Sequence, residues 1–184
     1  MDHPDRDKII AREMGWEWLE DALEADARGE FPEQAGPEEI PPLVPNPTTE
    51  GLDWVRDKNG RIQHPLTVRV FESGVEMWHF CEEGGLFGDN GDADLSEMVF
   101  QFQTTGAKLA GALNGLAYDE DFRRGGFIVA CLKRALNYLH QSIAAAEQVA
   151  GKNLLPAERL AAFRREQFEV REEILALMEK YRGA

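Results

Sequence analysis

Between Asp94 and Ala117 the chain runs for 24 residues whose only charges are two opening carboxylates, Asp94 and Glu97, and one cation, Lys108. A surface helix shows one apolar stripe, whereas a helix that is apolar nearly all round has to be enclosed by neighbours. Phe102, Gly106, Leu109, Leu113 and Leu116 recur at intervals of four and three, which is one helical face. Ala107, Gly111 and Gly115 form a second line of small residues almost opposite. Asp94 with Glu97 three residues on has the form of a capping box and sets the expected helix start. A chain with such a segment is committed to wrapping other helices around it.

The rest of the sequence supplies them. Residues 5–28 form an expected first helix, with Pro4 in its opening turn and Gly29 placed to stop it. Trp16, Leu19 and Leu23 make its apolar face, and Glu13, Glu17, Glu20 and Glu24 a line of carboxylates. A further helix spans 126–150 on a stripe of Ile128, Leu132, Leu136, Leu139, Ile143 and Ala146. Pro156 opens the last helix, which runs to about Tyr181. Its seam of Leu160, Phe163, Gln167, Val170, Ile174, Leu177 and Tyr181 steps by three and four throughout, a heptad pattern broken by one polar residue, Gln167. Residues 64–85 fit both a hairpin and a helix. The helical template fits better, because Val68, Phe71, Val75 and Trp78 share one face and Arg69, Glu72, Glu76, His79 and Glu83 the opposite one.

Residues 30–63 are the exception. Six of the nine prolines fall within 30–51, and proline both fixes φ and removes a donor, so an extended strap over the surface is expected. Pro42-Leu43-Val44-Pro45 has PxxP spacing, with Ile40, Leu43 and Val44 expected to lie across the protein's own core. Asn59-Gly60 suits a two-residue hairpin turn, with Trp54 and Ile62 on the arms. The expected fold is therefore mainly α: an up-and-down bundle of four or five helices, with a Pro-rich surface strap and a small β-hairpin. It is read as one domain over 1–184, with residues 64–184 as the helical core.

Charge restricts the partners. The net charge is −14, and it is uneven: residues 1–97 hold 8 Lys/Arg against 24 Asp/Glu, residues 98–184 hold 12 against 10. Such a molecule repels a phosphate backbone, so a nucleic-acid partner is not expected. Neither a signal peptide nor an apolar run of membrane-spanning length is evident, and no membrane association is expected. Cys81 and Cys131 lack metal-ligand or CxxC spacing; buried free thiols in a reducing cytoplasm are the expectation.

Three groups of residues carry candidate chemistry. Glu72, Glu76 and His79 lie one turn apart on one helical face and include a Glu-x-x-His pair, the spacing used by di-iron carboxylate bundles. Those proteins need the pair twice, and here it occurs once, since His140 has Asn137 at the corresponding offset. Arg123 and Arg124 precede a helix N-terminus, where guanidiniums and free N–H groups suit a phosphate or carboxylate. Ala107, Gly111 and Gly115 offer a face for close helix approach, in a first helix or a second copy of the chain. The glycine and aspartate loop 86–94 fits no register of a calcium-binding loop. Arg134 and His140, six positions apart, lie roughly 120° apart around a helix and share no face. No nucleophile occupies a strand-turn-helix elbow. The function expected is a non-enzymatic cytoplasmic role in protein interaction or assembly, including homodimer formation, that needs no cofactor. A metal-dependent bundle enzyme and a small-anion binder are the alternatives.

Overall fold

The computed structural model describes residues 43–88, 91–118 and 125–182. Two short strands, β1 (Val55–Arg56) and β2 (Ile62–Gln63), precede four helices. These are α1 (Pro65–Glu83), α2 (Ala93–Leu113, continued by a 3-10 turn over Asn114–Ala117), α3 (Gly125–Ala150) and α4 (Ala157–Arg182). The first helix expected over 5–28 and residues 30–42 of the strap lie outside the described residues.

Local chemistry sets the helix limits. His64 caps α1 by accepting the Leu66 N–H on Nδ1 at 3.2 Å, and Pro65 occupies the first turn, where a missing N–H costs nothing. Gly85 ends it at φ +63°, with the Leu86 N–H bonded to the Cys81 carbonyl and that of Gly85 to Glu82. This double closure requires a left-handed residue, and glycine adopts it without a Cβ penalty. The cap of α2 differs from the expected one. Asp92, not Asp94, accepts the Leu95 N–H at 3.0 Å, and Glu97 instead holds the Gln101 amide at 2.7 Å. Lys152, in the turn between α3 and α4, reaches both Asp92 and Asp94 and ties that turn to the start of α2.

The helices run up, down, up, down. The start of α1 meets the end of α2, where the His64 N–H donates to Asn114 Oδ1 at 3.0 Å. The end of α3 meets the start of α2 through Lys152, and Arg69 and Glu76 of α1 pair with α4 residues in reverse order. α2 packs most extensively on α3, then on α1; α4 closes the ring against α3 and α1. Across the middle, the rings of Phe102 (α2) and Phe163 (α4) meet edge to face, 4.8 Å between centroids. One core contains Leu95, Met98, Phe102, Leu109 and Leu113 of α2 with Leu132 and Leu139 of α3 and Val170 and Ile174 of α4.

Two helix faces differ from expectation. In α1 the buried line is Leu66, Val70, Gly74, Met77 and Cys81, while Phe71, expected inside, is 54% exposed. The line passes through Gly74 because α1 and α2 approach closely there. A Cβ on Gly74 would stand 3.3 Å from Gln103 Cγ and 3.4 Å from Phe102, and one on Gly106 3.3 Å from Val70 Cγ1. In α4 the seam holds from Leu160 to Ile174 and then moves from the expected Leu177 to Met178 before reaching Tyr181. A straight helix gains about 20° per heptad on a strict seven-residue repeat, so the buried line drifts by one position.

Leu43 and Val44 also depart from expectation, being exposed rather than laid across the core. The strap docks instead through polar groups. The Asn46 N–H reaches the Ala117 carbonyl at 2.7 Å, and Trp54 Nε1 donates to the Asn46 carbonyl at 2.8 Å. The hairpin pairs Val55 with Gln63 and Arg56 with Ile62. Its turn is not the two-residue Asn59-Gly60 form, which needs positive φ at both positions; Gly60 has φ +81° and Asn59 does not. Asp57 organises the loop, its Oδ1 accepting the N–H groups of Asn59 and Arg61 at 2.8 Å each. Burial pushes its carboxyl up, but the hydrogen bonds from Arg61 and Asn59 outweigh that and hold it at about 2.

The α1–α2 contact separates two glycines of α2. Gly106→Leu is expected to overpack against Val70 and lower stability by about 1–3 kcal/mol in urea titrations. A Cβ on Gly111 would meet no described atom within 4 Å, so Gly111→Leu should leave monomer stability unchanged or raise it by up to about 1 kcal/mol. Equal losses at the two sites would contradict the packing described.

Candidate functional site

Glu72, Glu76 and His79 stand on the outer, solvated face of α1. Glu72 lies 3.6 Å from Lys58, and Glu76 accepts a 3.0 Å hydrogen bond from Arg159. His79 sets its ring against Trp78 at 4.9 Å between centroids. Among the described residues, no three His, Cys, Asp or Glu side chains gather as a metal-ligating group. The shared helical face is real, but each carboxylate has a cation as partner and the face turns to water. Arg123 and Arg124 lie outside the described residues. Ala107, Gly111 and Gly115 form an exposed line, and no described element lies against the two glycines.

The ionic centre of the molecule joins two helices far apart in sequence, and no local pattern marks it. Arg69 holds Glu166 with two parallel bonds, Nε to Oε1 at 2.8 Å and Nη2 to Oε2 at 2.7 Å, and also reaches Glu169 and Glu173. These glutamates step by three and four along α4, so one guanidinium bridges a whole ridge. Beside it a crevice of about 190 Å³ is lined by Ser73, Glu76, Met77, Arg159, Phe163 and Glu166. Arg159 spans it, bonded to Glu76 and stacked 4.3 Å above the centroid of Phe80. Arg159 also lies near the Cys81 thiol, which burial pushes up despite that cation. Both cysteines are free; Cys131 is only half-buried. The crevice is crossed by the protein's own ion pairs and leaves no unpaired group for chemistry.

A different surface is open. On the α1–α2 side, Trp78, Glu82, Phe87, Ser96, Val99, Phe100 and Gln103 line a groove of about 290 Å³. Phe100 is 61% exposed although it lies between the buried residues Val99 and Gln101. Trp78 and Phe87 are half-buried, so three rings border one concavity. Its carboxylate, Glu82, is accompanied by exposed Glu83 and Glu97 on the same two helices. The groove thus combines aromatic walls with one carboxylate at its lining. The sequence signal was Phe100, which falls off the leucine face of α2.

At the far end, His64 is buried beside Asp53, and Lys180 lies 3.7 Å from that carboxylate. Desolvation drives the His64 pKa down to about 4, against the pull of Asp53 and with the push of Lys180.

No protein family, curated protein or solved structure matches the chain. Among the described residues, no helix is long and apolar enough to cross a membrane.

Two measurements test this electrostatic account. Arg69→Met leaves three carboxylates on one ridge and should cost about 1–2 kcal/mol, reduced for partial exposure and shrinking with added salt. Arg69→Lys should recover less than half, because an ammonium cannot grip Glu166 with two parallel bonds. For His64, folded and unfolded forms are both neutral above pH 6.5, so the residue has no effect there. As pH falls from 6.5 to 4 only the unfolded chain takes up the proton, and stability is lost, by about 3 kcal/mol at the lower limit. His64→Asn retains a capping acceptor and should flatten that part of the pH–stability curve; superimposable curves would contradict the assignment.

Proposed function

We propose that the protein is a non-enzymatic interaction module, and that its α1–α2 groove receives an apolar side chain from a protein segment flanked by basic residues. The observation that carries this reading is the exposure of Phe100 beside Trp78 and Phe87 around one concavity. Burying a Phe ring is worth about 1.5–3 kcal/mol, so leaving it in water beside two other rings is costly without a partner. Charge supports the basic flanks: Glu82 lines the groove, Glu83 and Glu97 are exposed on the same two helices, and the whole molecule carries −14.

A non-enzymatic role is supported by the state of the polar groups. Ser142 is sealed in the core, Ser96 bonds to the Asp92 carbonyl, Cys81 is buried with a raised pKa, and Glu76 and Glu166 are held by arginines. Two free cysteines fit a reducing cytoplasm. Self-association belongs to the same reading, since a second copy would bring exposed Phe127 or Phe168 as candidate occupants.

Selection from a random peptide library tests the groove. Enriched peptides should converge on a large apolar or aromatic residue with Lys or Arg neighbours. Phe100→Ser should weaken them at least tenfold while leaving thermal unfolding nearly unchanged. Failure to enrich any sequence, or enrichment indifferent to Phe100→Ser, would overturn the proposal. Light scattering across concentration separates the occupants: a concentration-independent monomer removes the second copy as the ligand.

A further inference from the structure

In a chain of net charge −14, two stretches contain no carboxylate at all: residues 98–118 in and after α2, and 125–146 in α3. Their cations are Lys108, Lys133 and Arg134. The fold brings all three to one place. With Asn137 and Tyr138 they line a concavity of about 360 Å³ between α2 and α3. Lys133 and Asn137 stand one turn apart on α3, and so do Arg134 and Tyr138, which sets two parallel ridges of donors. Lys108 reaches across from α2, its Nζ 5.9 Å from the centroid of the Tyr138 ring.

The charge here is uncompensated. Lys58, Arg61, Arg69, Lys152, Arg159, Arg171 and Lys180 each face a carboxylate. Among the described residues, Lys108, Lys133 and Arg134 face none. Three like charges around one concavity repel one another and concentrate a positive field there.

We propose that this concavity binds a small polyanion through phosphoryl oxygens, as pyrophosphate or as the diphosphate end of a nucleotide. Arg134 supplies the planar fork that matches two phosphoryl oxygens, and Lys108 and Lys133 supply two compact charges on either side. The Asn137 amide adds a neutral donor, and Tyr138 a flat ring at the edge. The ligand is small because a long phosphate chain would extend over the acidic remainder of the surface. At about 0.15 M salt the favourable field extends only some 8 Å.

The test is calorimetric titration of the full-length protein with pyrophosphate, with amide shifts at Lys133, Arg134 and Asn137 locating the site. Binding should saturate and weaken as salt rises. Lys108→Ala, Lys133→Ala and Arg134→Ala should each raise Kd about three- to tenfold, and the triple variant should abolish binding. These side chains are exposed, with the Lys108 Nζ 5.9 Å from the centroid of the Tyr138 ring, so thermal unfolding should be nearly unchanged. Lys180→Ala, whose charge is paired with Asp53, should bind as the unaltered protein does. Titration with ADP distinguishes the sources: tighter binding than pyrophosphate points to a nucleotide, equal binding to the diphosphate alone, and both support the site. Absence of saturation at millimolar pyrophosphate, or a triple variant that binds normally, would overturn it.

Discussion

The structure depends on the burial of the leucine face of α2, the face opposite its exposed Ala107, Gly111 and Gly115 line. Apart from Lys108, nothing between Glu97 and the end of that helix carries charge, so its burial dictates where the other helices lie. Each neighbour meets it by a different physical means. α1 comes close enough that Gly74 and Gly106 have no room for larger groups beside Phe102 and Val70. α3 lies along it with Leu132, Ala135 and Leu139 turned inward. α4 touches it across the bundle through one aromatic pair, Phe102 and Phe163. Its ends are fastened by polar groups, Lys152 at the start and Asn114 and the Ala117 carbonyl at the finish.

One polar relay crosses this apolar interior. Ser142 Oγ donates to the Met98 carbonyl at 2.6 Å and accepts from Gln167 Nε2 at 2.7 Å, linking α4 through α3 to α2. Gln167 is fully buried, and its Oε1 finds no partner among the described groups. An unmade bond of this kind costs about 1–3 kcal/mol, so an apolar residue would pack there at lower cost. What the glutamine supplies is position. A heptad seam of similar apolar residues tolerates sliding by a turn, whereas shifted Gln167 would lose Ser142 and leave both ends of its amide unsatisfied.

Helix limits were legible in the sequence because caps and glycines act locally: the Gly84-Gly85 stop and the proline-started helices depend on neighbouring residues alone. The seam of α4 was legible because its large apolar residues face one direction through Ile174. The buried face of α1 was not, since it runs through Thr67 and Gly74, residues that no hydropathy pattern marks as core. Asp92 replaced Asp94 as the cap of α2 for a related reason: two aspartates two residues apart offer the same signal, and tertiary contact with Lys152 reaches both. Of the candidate sites, the spacing of Glu72, Glu76 and His79 correctly placed them on a helix face, but could not say that Lys58 and Arg159 would meet that face. The aromatic groove and the cationic concavity each join side chains from separate helices. Sequence periodicity describes one helix at a time, so neither could appear in it.

The two open surfaces follow from how the helix seams are closed. Along α1–α4 the closure is ionic: Arg69 and Arg159 engage carboxylates on the facing helix, so that seam is charged yet satisfied. Along α1–α2 the closure is steric and centred on Gly74. One turn farther along α1 the backbone carries Trp78 rather than glycine, and the opposing residues are Val99, Phe100 and Gln103. A large ring cannot sit in a gap set by a glycine, so Trp78 stands at the edge and the seam opens into a groove. Along α2–α3 the closure is apolar and needs no carboxylate, and none is present from 98 to 118 or from 125 to 146. Cations at the outer edge of that seam are left with no intrinsic counter-charge among the described residues. Steric closure leaves an apolar surface open and apolar closure leaves a cationic one unneutralised, so the packing of the bundle itself separates surfaces of two different chemistries.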